Sequence, residues 1–441
     1  MENLDKYVSI VPSKVQKNIE KMGFYLFIHF GINTFLGKEW SDGTYPTSKF
    51  NPTDLSTDDW CEVAQKIGAK GIILTAKHHD GFCLWQTDTT EYSIKNSPYK
   101  KGQGDVVKEL QVSCKKYGLK MGLYLSPWDR NSVYYGTDKY DDFYCSQLEE
   151  LLTRYGELFT IWLDGACGAD LDGKPKQKYD FKRYYTLIRN IQPTCSISNC
   201  GPDVRWVGNE AGKSRQSEWS VVPKIAFSEQ TIMDNSQQAD KKFKGNIDNM
   251  SEDIGSRKVL KDYDDFVWYP AEVDVSIRPG WFYHKSQDFF VKSVKKLLHI
   301  FYHSYGNNCM LLLNIPPDKT GKINRHDKKI LFKFRDKLGN EFYNKIDIIA
   351  NTRDNEVLYT FEKTNIDKVV IVEDIDFSQR VENFTLLTMV NGNEIELAKG
   401  TTIGHKKISI FNKINTDNLI FRIDSCRNEP HIKSFDIYCS K

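Results

Sequence analysis

The sequence lacks long apolar runs, and neither sign of charge dominates it. Its apolar runs, such as Met310 to Leu313, are far shorter than the roughly 18 residues that a membrane-spanning helix requires. Lys and Arg number 61 against 59 Asp and Glu, so the net charge is +2 and no basic face for nucleic acid is indicated. We therefore expect neither a membrane nor a nucleic acid among the partners of the protein.

Cysteine motifs and a secretory signal are also missing. The ten cysteines form no CxxC pair, which favours buried, reduced thiols over a disulfide framework. The N-terminus cannot supply the apolar stretch of a signal peptide, because it is interrupted by Glu2, Asp5, Lys6, Lys14, Lys17 and Glu20. Unless a leader has been removed, a cytoplasmic location is favoured. The sequence carries no indication of the oligomeric state.

Short apolar runs alternate with longer amphipathic stretches from Phe24 to about Pro317. Several of the runs are apolar almost throughout, which is typical of strands that are buried on both faces of a parallel sheet. The predicted strands are Phe24 to Phe30, Gly71 to Ala76, Met121 to Leu125, Phe159 to Leu163, Thr194 to Ser198, Val273 to Ile277 and Met310 to Ile315.

The stretches between these strands have the ends of helices. Ser56 stands three residues before Asp59, a capping signal for a helix that Gly68 closes. Gly118 and Gly156 close two further predicted helices, Val106 to Tyr117 and Phe143 to Tyr155, because glycine tolerates the left-handed conformation at a helix end. The repeated helix, glycine, strand unit predicts either a barrel or an open doubly wound sheet.

Two features favour a (β/α)8-type barrel over the open sheet. No GxGxxG motif follows the first strand, and polar or aromatic residues stand at the carboxyl ends of several strands. Examples are His29, His78, Trp128, Asp129 and Asp164. In a barrel all these strand ends open onto one face, which carries the active site.

After about Lys345 the pattern changes to short alternating strands. They are predicted at Lys368 to Val372, Phe384 to Val390, Lys407 to Phe411, Leu419 to Ile423 and Lys433 to Tyr438. Regularly spaced strands of this kind indicate an antiparallel β-sandwich. We predict a catalytic barrel over residues 1–344 and a C-terminal sandwich over 345–441, with the Lys/Asp-rich stretch 240–265 as a loop at the barrel rim.

Two carboxylates are candidates for chemistry. Asp164 ends an apolar strand and precedes Gly165, where it serves either as a cap for the next turn or as a nucleophile at the floor of a pocket. Glu210 lies between Gly208 and Gly212 near Trp206, and a partly apolar setting raises a carboxyl pKa toward the range of a general acid. The alternative is that Glu210 is an ordinary glutamate of a surface loop. Its competitors are Glu218, Asp203 and Glu229.

The pair His78-His79 follows the second predicted strand. Its rings point to opposite faces if the strand continues, and both turn inward if it has ended. Two histidines and Asp80 are also possible zinc ligands, but no HxH or HExxH pattern accompanies them. We therefore favour hydrogen bonding to a neutral ligand rich in hydroxyl groups, and we expect no metal and no cofactor.

Aromatic residues collect near the predicted strand ends. Besides the pair Glu39-Trp40, they include Tyr124, Trp128, Trp162 and Trp281. Such rings most often pack in a core, but they also form platforms for the apolar face of a sugar.

Six motifs in one order strongly resemble the α-L-fucosidases of glycoside hydrolase family 29. They extend from about residue 20 to 317 and are His29-Phe30-Gly31, Glu39-Trp40, Lys77-His78-His79-Asp80-Gly81-Phe82, Tyr124-Leu125-Ser126-Pro127-Trp128, Trp162-Leu163-Asp164-Gly165 and Arg278-Pro279-Gly280-Trp281. The resemblance implies a barrel followed by a β-sandwich and a retaining exo-glycosidase that releases terminal α-L-fucose from glycans.

The resemblance also assigns residue roles. It implies that Asp164 is the nucleophile and that the fucose subsite is lined by His29, Glu39, Trp40, His78, His79, Tyr124 and Trp281. The stretches Trp206 to Gly212 and Ser217 to Ser220 look like the subgroup that prefers α-1,3 and α-1,4 linked fucose in branched Lewis-type glycans, which makes Glu210 the acid/base. A fucose-binding protein without activity and a metal-dependent barrel hydrolase are the alternatives.

Overall fold

The computed structural model describes residues 4–168, 175–227, 231, 251–353 and 355–441. Glu229 and the stretch 240–250, which the sequence analysis singled out, lie outside the described residues. The stretch 251–265 contains one short helix, Arg257–Leu260, and is otherwise irregular, which agrees with the predicted loop outside that helix.

Eight parallel strands close into a barrel in the order β1-β10-β9-β6-β5-β4-β3-β2, which confirms the predicted barrel. A separate antiparallel ribbon pairs β7 with β8. The strands are β1 (Phe24–Ile28), β2 (Gly71–Lys77), β3 (Lys120–Leu125), β4 (Thr160–Leu163), β5 (Ser196–Asn199), β6 (Val204–Trp206), β7 (Val221–Pro223), β8 (Phe266–Trp268), β9 (Ala271–Ser276) and β10 (Cys309–Asn314).

Helices alternate with these strands and surround the barrel. They are α1 (Asp5–Val8), α2 (Lys14–Met22), α3 (Ile32–Leu36), α4 (Thr57–Ile67), α5 (Val106–Tyr117), α6 (Tyr140–Arg154), α7 (Phe181–Ile191), α8 (Arg257–Leu260), α9 (Val294–Tyr302) and α10 (Arg325–Glu341). Short 3-10 helices occupy Thr47–Lys49, Ile94–Asn96, Tyr99–Gly102, Lys224–Phe227, Lys285–Gln287 and Ile375–Phe377. Within the described ranges, no helix combines the length and the apolar content needed to cross a bilayer.

The predicted helix ends follow from local chemistry. The Ser56 hydroxyl accepts a hydrogen bond from the Asp59 amide at 3.2 Å and so caps α4. Gly68 ends the same helix with φ of 84°, in the left-handed region that favours glycine. Both predictions for α4 are confirmed, and α5 has the predicted bounds.

One barrel strand was missed in the sequence. No strand was predicted between Ser198 and Val273, but β6 spans Val204–Trp206 and pairs with β5 and β9. Three residues are too few to display a period-two pattern. The strand is defined instead by its pairing with β5, which closely precedes it, and with β9, which begins only at Ala271.

The barrel has an apolar core on each side of its sheet. Alternate residues point inward, so Tyr25, Phe27 and Trp162 pack inside the barrel. Their neighbours Leu26 and Ile28 pack outside, against the helices. This period of two is the reason why strands buried on both faces appear in the sequence as continuous apolar runs.

The C-terminal body is an antiparallel sheet. Its strands are β11 (Asn344–Ile346), β12 (Ile349–Arg353), β13 (Glu356–Glu373), β14 (Val381–Val390), β15 (Asn393–Gly400), β16 (Lys407–Cys426) and β17 (Ile432–Cys439). The two separate strands predicted between Lys407 and Ile423 belong to the single strand β16, which is a correction. The predicted domain boundary at residues 344 and 345 falls within β11, and its position stays a prediction.

The long strands bend so that the sheet forms two layers. Phe435 of β17 pairs in register with Ile371 of β13, yet its ring stacks on Tyr359 with 4.2 Å between ring centroids. Twelve residues of straight strand would separate Tyr359 from Ile371 by about 40 Å. Register shifts near Thr360 and Ile366 accompany the bend, and the two layers enclose one apolar core. This arrangement is the predicted sandwich.

We expect Phe435→Ala to lower the free energy of unfolding of the sandwich by about 3–5 kcal/mol, because the change leaves a cavity beside Tyr359. Phe435 is 7% exposed. Urea denaturation followed by circular dichroism measures the effect. Phe377→Ala is the matched control, since this ring is 47% exposed, and its effect should stay below about 1 kcal/mol. Equal losses for the two variants would contradict the assignment of Phe435 to the core.

Candidate active site

The predicted site residues lie at the carboxyl ends of the barrel strands. His29 follows β1, His78 and His79 follow β2, and Asp164 follows β4. Because parallel strands of a closed barrel end on one face, residues far apart in sequence meet there. Tyr124 in β3 and the loops after β6 and β9, which carry Glu210 and Trp281, complete the set.

Asp164 faces the cavity with two hydrogen-bond donors behind it. The Tyr124 hydroxyl donates to Oδ2 at 2.8 Å, and the Ala166 amide donates to Oδ1 at 2.7 Å. The side chain is 23% exposed, and His79 Nε2 stands 4.0 Å from Oδ2. Donors of this kind stabilise a carboxylate while leaving it reachable by a ligand.

Glu210 lies in a different environment. Trp281 Nε1 donates a hydrogen bond to its Oε2 at 3.2 Å. Burial of the carboxyl raises the pKa of Glu210, the Trp281 hydrogen bond lowers it, and the charges of Asp164 and Glu39 raise it further, with a net increase. The Trp281 ring that donates to Glu210 also packs on His29, and His29 packs on Tyr124, which donates to Asp164. We therefore infer that the two carboxyl groups face the same cavity.

The competitors of Glu210 have structural partners. Glu218 is fully buried and forms ion pairs with Arg205 and Arg215. Asp203 is buried, pairs with Arg189 and accepts a hydrogen bond from the Ile197 amide at 2.7 Å. Glu218 thus holds β6 and the loop after it, whereas Asp203 ties the turn before β6 to α7 and β5, so both carboxylates serve the scaffold.

The three histidines form a buried cluster beside Asp164. Since β2 ends at Lys77, both His78 and His79 turn inward, and their ring centroids are 4.0 Å apart. Burial lowers the pKa of His29 to about 3 and that of His79 to about 4, and it lowers the pKa of His78 well below its usual value. All three rings are therefore neutral at pH 7 and suit uncharged hydroxyl groups.

Aromatic rings form the walls of the cavity. Trp281 lies 5.0 Å from the His29 ring, and Trp40 lies 5.9 Å from the His79 ring, centroid to centroid. Trp40 is 60% exposed, so it stands at the rim. Trp162, one of the aromatic residues near the predicted strand ends, is buried in the barrel interior, where its ring stacks on Tyr124 with 5.5 Å between centroids.

Glu39 joins two of the loops. Its Oε2 accepts hydrogen bonds from the amides of Trp281 at 2.8 Å and Phe282 at 3.3 Å, and its Oε1 lies 2.5 Å from His284 Nε2. A Cβ atom at Gly280 would lie 2.1 Å from Glu39 Oε1, so only glycine permits this approach. Glu39 is therefore held in place before any ligand binds.

Arg278 anchors the loop that carries Trp281. Its guanidinium is fully buried and donates to both carboxylate oxygens of Asp327, at 2.8 and 2.9 Å, and to Asp288 Oδ1 at 2.9 Å. The bidentate contact ties the loop to α10. This arginine of the Arg278-Pro279-Gly280-Trp281 motif is thus part of the scaffold.

Three polar residues beneath the cavity were missed. Asn314 contacts His29, and β9 carries Glu272 and Asp274, which accept hydrogen bonds from Trp162 Nε1 and Trp206 Nε1, each at 2.7 Å. Burial raises the pKa of Glu272 to about 7 and the pKa of Asp274 well above its usual value. The alternating sequence Ala-Glu-Val-Asp-Val-Ser of β9 was a usable signal, since it directs three polar side chains to one face.

Metal coordination has no geometric support in the described part of the chain. Among residues 4–168, 175–227, 231, 251–353 and 355–441, no three His, Cys, Asp or Glu side chains are arranged to hold a metal ion. The ten cysteines are free, and eight of them are buried.

Comparison with known proteins identifies the family. The family model described as alpha-L-fucosidase matches residues 6–336. Alpha-L-fucosidase 1 of Arabidopsis thaliana is 37% identical over an alignment of 474 positions, which covers 98% of this chain and 88% of that protein.

Solved structures agree with this match. A glycoside hydrolase 29 family member from an unknown rumen bacterium is 36% identical with a TM-score of 0.87, covering 98% of this chain and 78% of that chain. A Ruminococcus gnavus family 29 fucosidase in complex with fucose is 27% identical with a TM-score of 0.82, covering 98% of this chain and 95% of that chain. The chain belongs to the α-L-fucosidases of glycoside hydrolase family 29.

Proposed function

We propose that this α-L-fucosidase is a retaining exo-enzyme, with Asp164 as nucleophile and Glu210 as general acid and base. The observation that carries the proposal is the pair of carboxyl groups on one cavity in unlike surroundings. Asp164 receives two hydrogen bonds and is open to the cavity, while the pKa of Glu210 is raised by burial and by the nearby charge of Asp164. One group suits attack as a carboxylate and the other suits proton donation.

The reaction then proceeds in two steps. Asp164 attacks the anomeric carbon while Glu210 protonates the departing glycosidic oxygen, which gives a covalent fucosyl-enzyme. Esterification removes the negative charge of Asp164, so one cause of the raised pKa of Glu210 disappears. Glu210 is then better suited to remain deprotonated and to take a proton from the water that releases fucose.

The remaining residues suit recognition of a neutral 6-deoxy sugar. His29, His78 and His79 are uncharged at pH 7 and can pair with ring hydroxyl groups. Trp281 and Trp40 offer apolar surface for the methyl group and the ring face. The Ruminococcus gnavus relative was solved with fucose bound, which supports fucosylated oligosaccharides or glycoconjugate glycans as substrates here.

For linkage we infer a preference for α-1,3 and α-1,4 linked fucose in branched Lewis-type glycans. The support is the sequence of the loop from Trp206 to Gly212 and of Ser217 to Ser220. Glu218 in the second segment is the buried ion-pair partner that anchors this loop to Arg205 in β6. The loop that supplies Glu210 would therefore also contact the sugar from which fucose departs.

Asp164→Ala should lower kcat by several orders of magnitude on 4-nitrophenyl α-L-fucoside, because the covalent route is deleted. Release of nitrophenol measures the loss, and circular dichroism checks the fold. Asp138→Ala is the matched control, since Asp138 is an exposed aspartate of the loop after β3, and it should act as the wild type does. Near-normal turnover by Asp164→Ala would refute the nucleophile role. Proton NMR of the wild-type reaction gives a second test, because a retaining enzyme releases the α anomer first and the β anomer would exclude a covalent intermediate.

Glu210→Ala should impair natural glycans far more than an aryl fucoside, because only the poor sugar leaving group needs protonation. In the wild type, kcat/KM should fall at high pH, because the reaction requires protonated Glu210 and this form is lost above its raised pKa. The Glu210→Ala variant should lack this basic limb. Glu252→Ala, a change at another exposed glutamate, is the control. Equal losses on both substrates with the limb retained would assign the acid role elsewhere.

The linkage preference can be measured by fucose release. A Lewis-type trisaccharide should be cleaved at least about tenfold faster than a linear α-1,2 fucosylated disaccharide at equal concentration, which corresponds to about 1.4 kcal/mol in the barrier. Anion-exchange chromatography of liberated fucose gives both rates. Faster cleavage of the linear disaccharide would contradict the subgroup while leaving the family assignment intact.

A further inference from the structure

The side-chain amide of Asn314 has a fixed orientation. Its Nδ2 donates to Ser276 Oγ at 2.9 Å and to the Trp281 carbonyl at 2.8 Å. A carbonyl oxygen only accepts, so this end of the amide must be the NH2 group. The opposite atom, Oδ1, is therefore an acceptor, and it points at His29.

This orientation determines where His29 carries its proton. Both the His29 backbone amide, at 3.3 Å, and its ring Nδ1, at 2.9 Å, contact Asn314 Oδ1. Since Oδ1 has no proton to give, Nδ1 must be the donor. In a neutral imidazole the other nitrogen, Nε2, then carries a lone pair. The Nε2 atom of His29 is not fully buried, and it has no hydrogen-bond partner within the described residues.

His78 has the opposite arrangement. Its Nδ1 is buried and has no hydrogen-bond partner among the described residues. A buried N–H group without an acceptor costs more than a buried lone pair without a donor, so the proton belongs on Nε2. The His29 and His78 rings are 5.8 Å apart, centroid to centroid.

We propose that Asn314 is a positioning residue that fixes His29 as a hydrogen-bond acceptor, so that His29 and His78 offer the sugar hydroxyl groups one acceptor and one donor side by side. The inference rests on the proposed fucose subsite. The inference specifies which hydrogen bonds the subsite can form. One sugar hydroxyl group must donate to His29 Nε2, and the same or a second hydroxyl group must accept from His78 Nε2. A ligand that lacks a donor at the first position leaves His29 unpaired.

The chain contains an internal reference for this arrangement. At the other end of β10, Asn308 Oδ1 accepts from the His405 amide at 2.8 Å and from His405 Nδ1 at 3.0 Å. Asn308 Nδ2 donates to the Glu218 carbonyl at 3.0 Å, so its amide is oriented in the same way. Six residues of strand separate the two asparagines by roughly 20 Å, which keeps His405 away from the cavity.

The first measurement uses the wild-type protein with ¹⁵N-labelled histidine and no sugar. His29 and His405 should both show a protonated Nδ1 and an unprotonated Nε2, and His78 should show the reverse. Loss of signals in His29→Gln and His78→Gln gives the assignments. On addition of L-fucose, the His29 and His78 signals should shift and those of His405 should not. A proton on Nε2 of His29 overturns the proposal.

The second measurement compares Asn314→Asp with Asn308→Asp. A carboxylate beside Nδ1 raises the pKa of His29, so the ring becomes protonated at low pH and Nε2 becomes a donor. The titratable side chains around His29 are His78, His79 and Tyr124, and the other rings packed on it are Phe27, Trp281 and Phe282. Asn314→Asp should bind L-fucose about tenfold more weakly below the raised pKa and recover above it.

Asn308→Asp should retain the wild-type pH profile, which has no such limb because the pKa of His29 is about 3. Identical profiles for the two variants would overturn the role of Asn314. If Asn314→Asp does not fold, the spectrum of the wild type still decides the tautomer. Absence of L-fucose binding by the wild type would refute the proposed subsite. The tautomers of His29 and His78 are measured without sugar, so that result tests the role of Asn314 independently.

Discussion

The proposed mechanism depends on two carboxyl groups that have different surroundings. Asp164 is supplied with donors by Tyr124 and the Ala166 amide, whereas Glu210 has one indole donor and the repulsion of Asp164 and Glu39. Repulsion between like charges favours protonation of the carboxyl group that has fewer hydrogen-bond donors. Hydrogen bonds and an ion pair tie two of the loops around the barrel mouth to each other and to the scaffold.

The ties are hydrogen bonds and an ion pair between the loops and strands at the barrel mouth. Glu39 connects the loop after β1 with the loop after β9, and Arg278 fastens the second loop to α10 through Asp327. Asn314 then joins the same loop to β10 through the Trp281 carbonyl. Trp281 is thus held from both sides, and this fixes the donor that it offers to Glu210.

Neutral polar groups are a second property of the site. Burial prevents the three histidines from taking a charge, so each presents one donor and one acceptor nitrogen. Asn314 sets the tautomer of His29, and the lack of an acceptor for Nδ1 within the described residues sets the tautomer of His78. As a result, one ring offers an acceptor to the cavity and the other offers a donor. A neutral sugar is distinguished by where its hydroxyl groups can donate and accept, and a charged imidazole would lose that distinction.

The sequence by itself determined the barrel, the sandwich, the ends of α4 and α5, and the candidate residues at the strand ends. These features are local, since apolar periodicity and capping depend on residues a few positions apart. Only the tertiary structure decided that β6 is a strand, that Lys407 to Cys426 is one strand, that Trp162 lies inside the barrel and that Asn314 holds His29. Each of these depends on partners that are distant in sequence, and such contacts exist only once the barrel has closed.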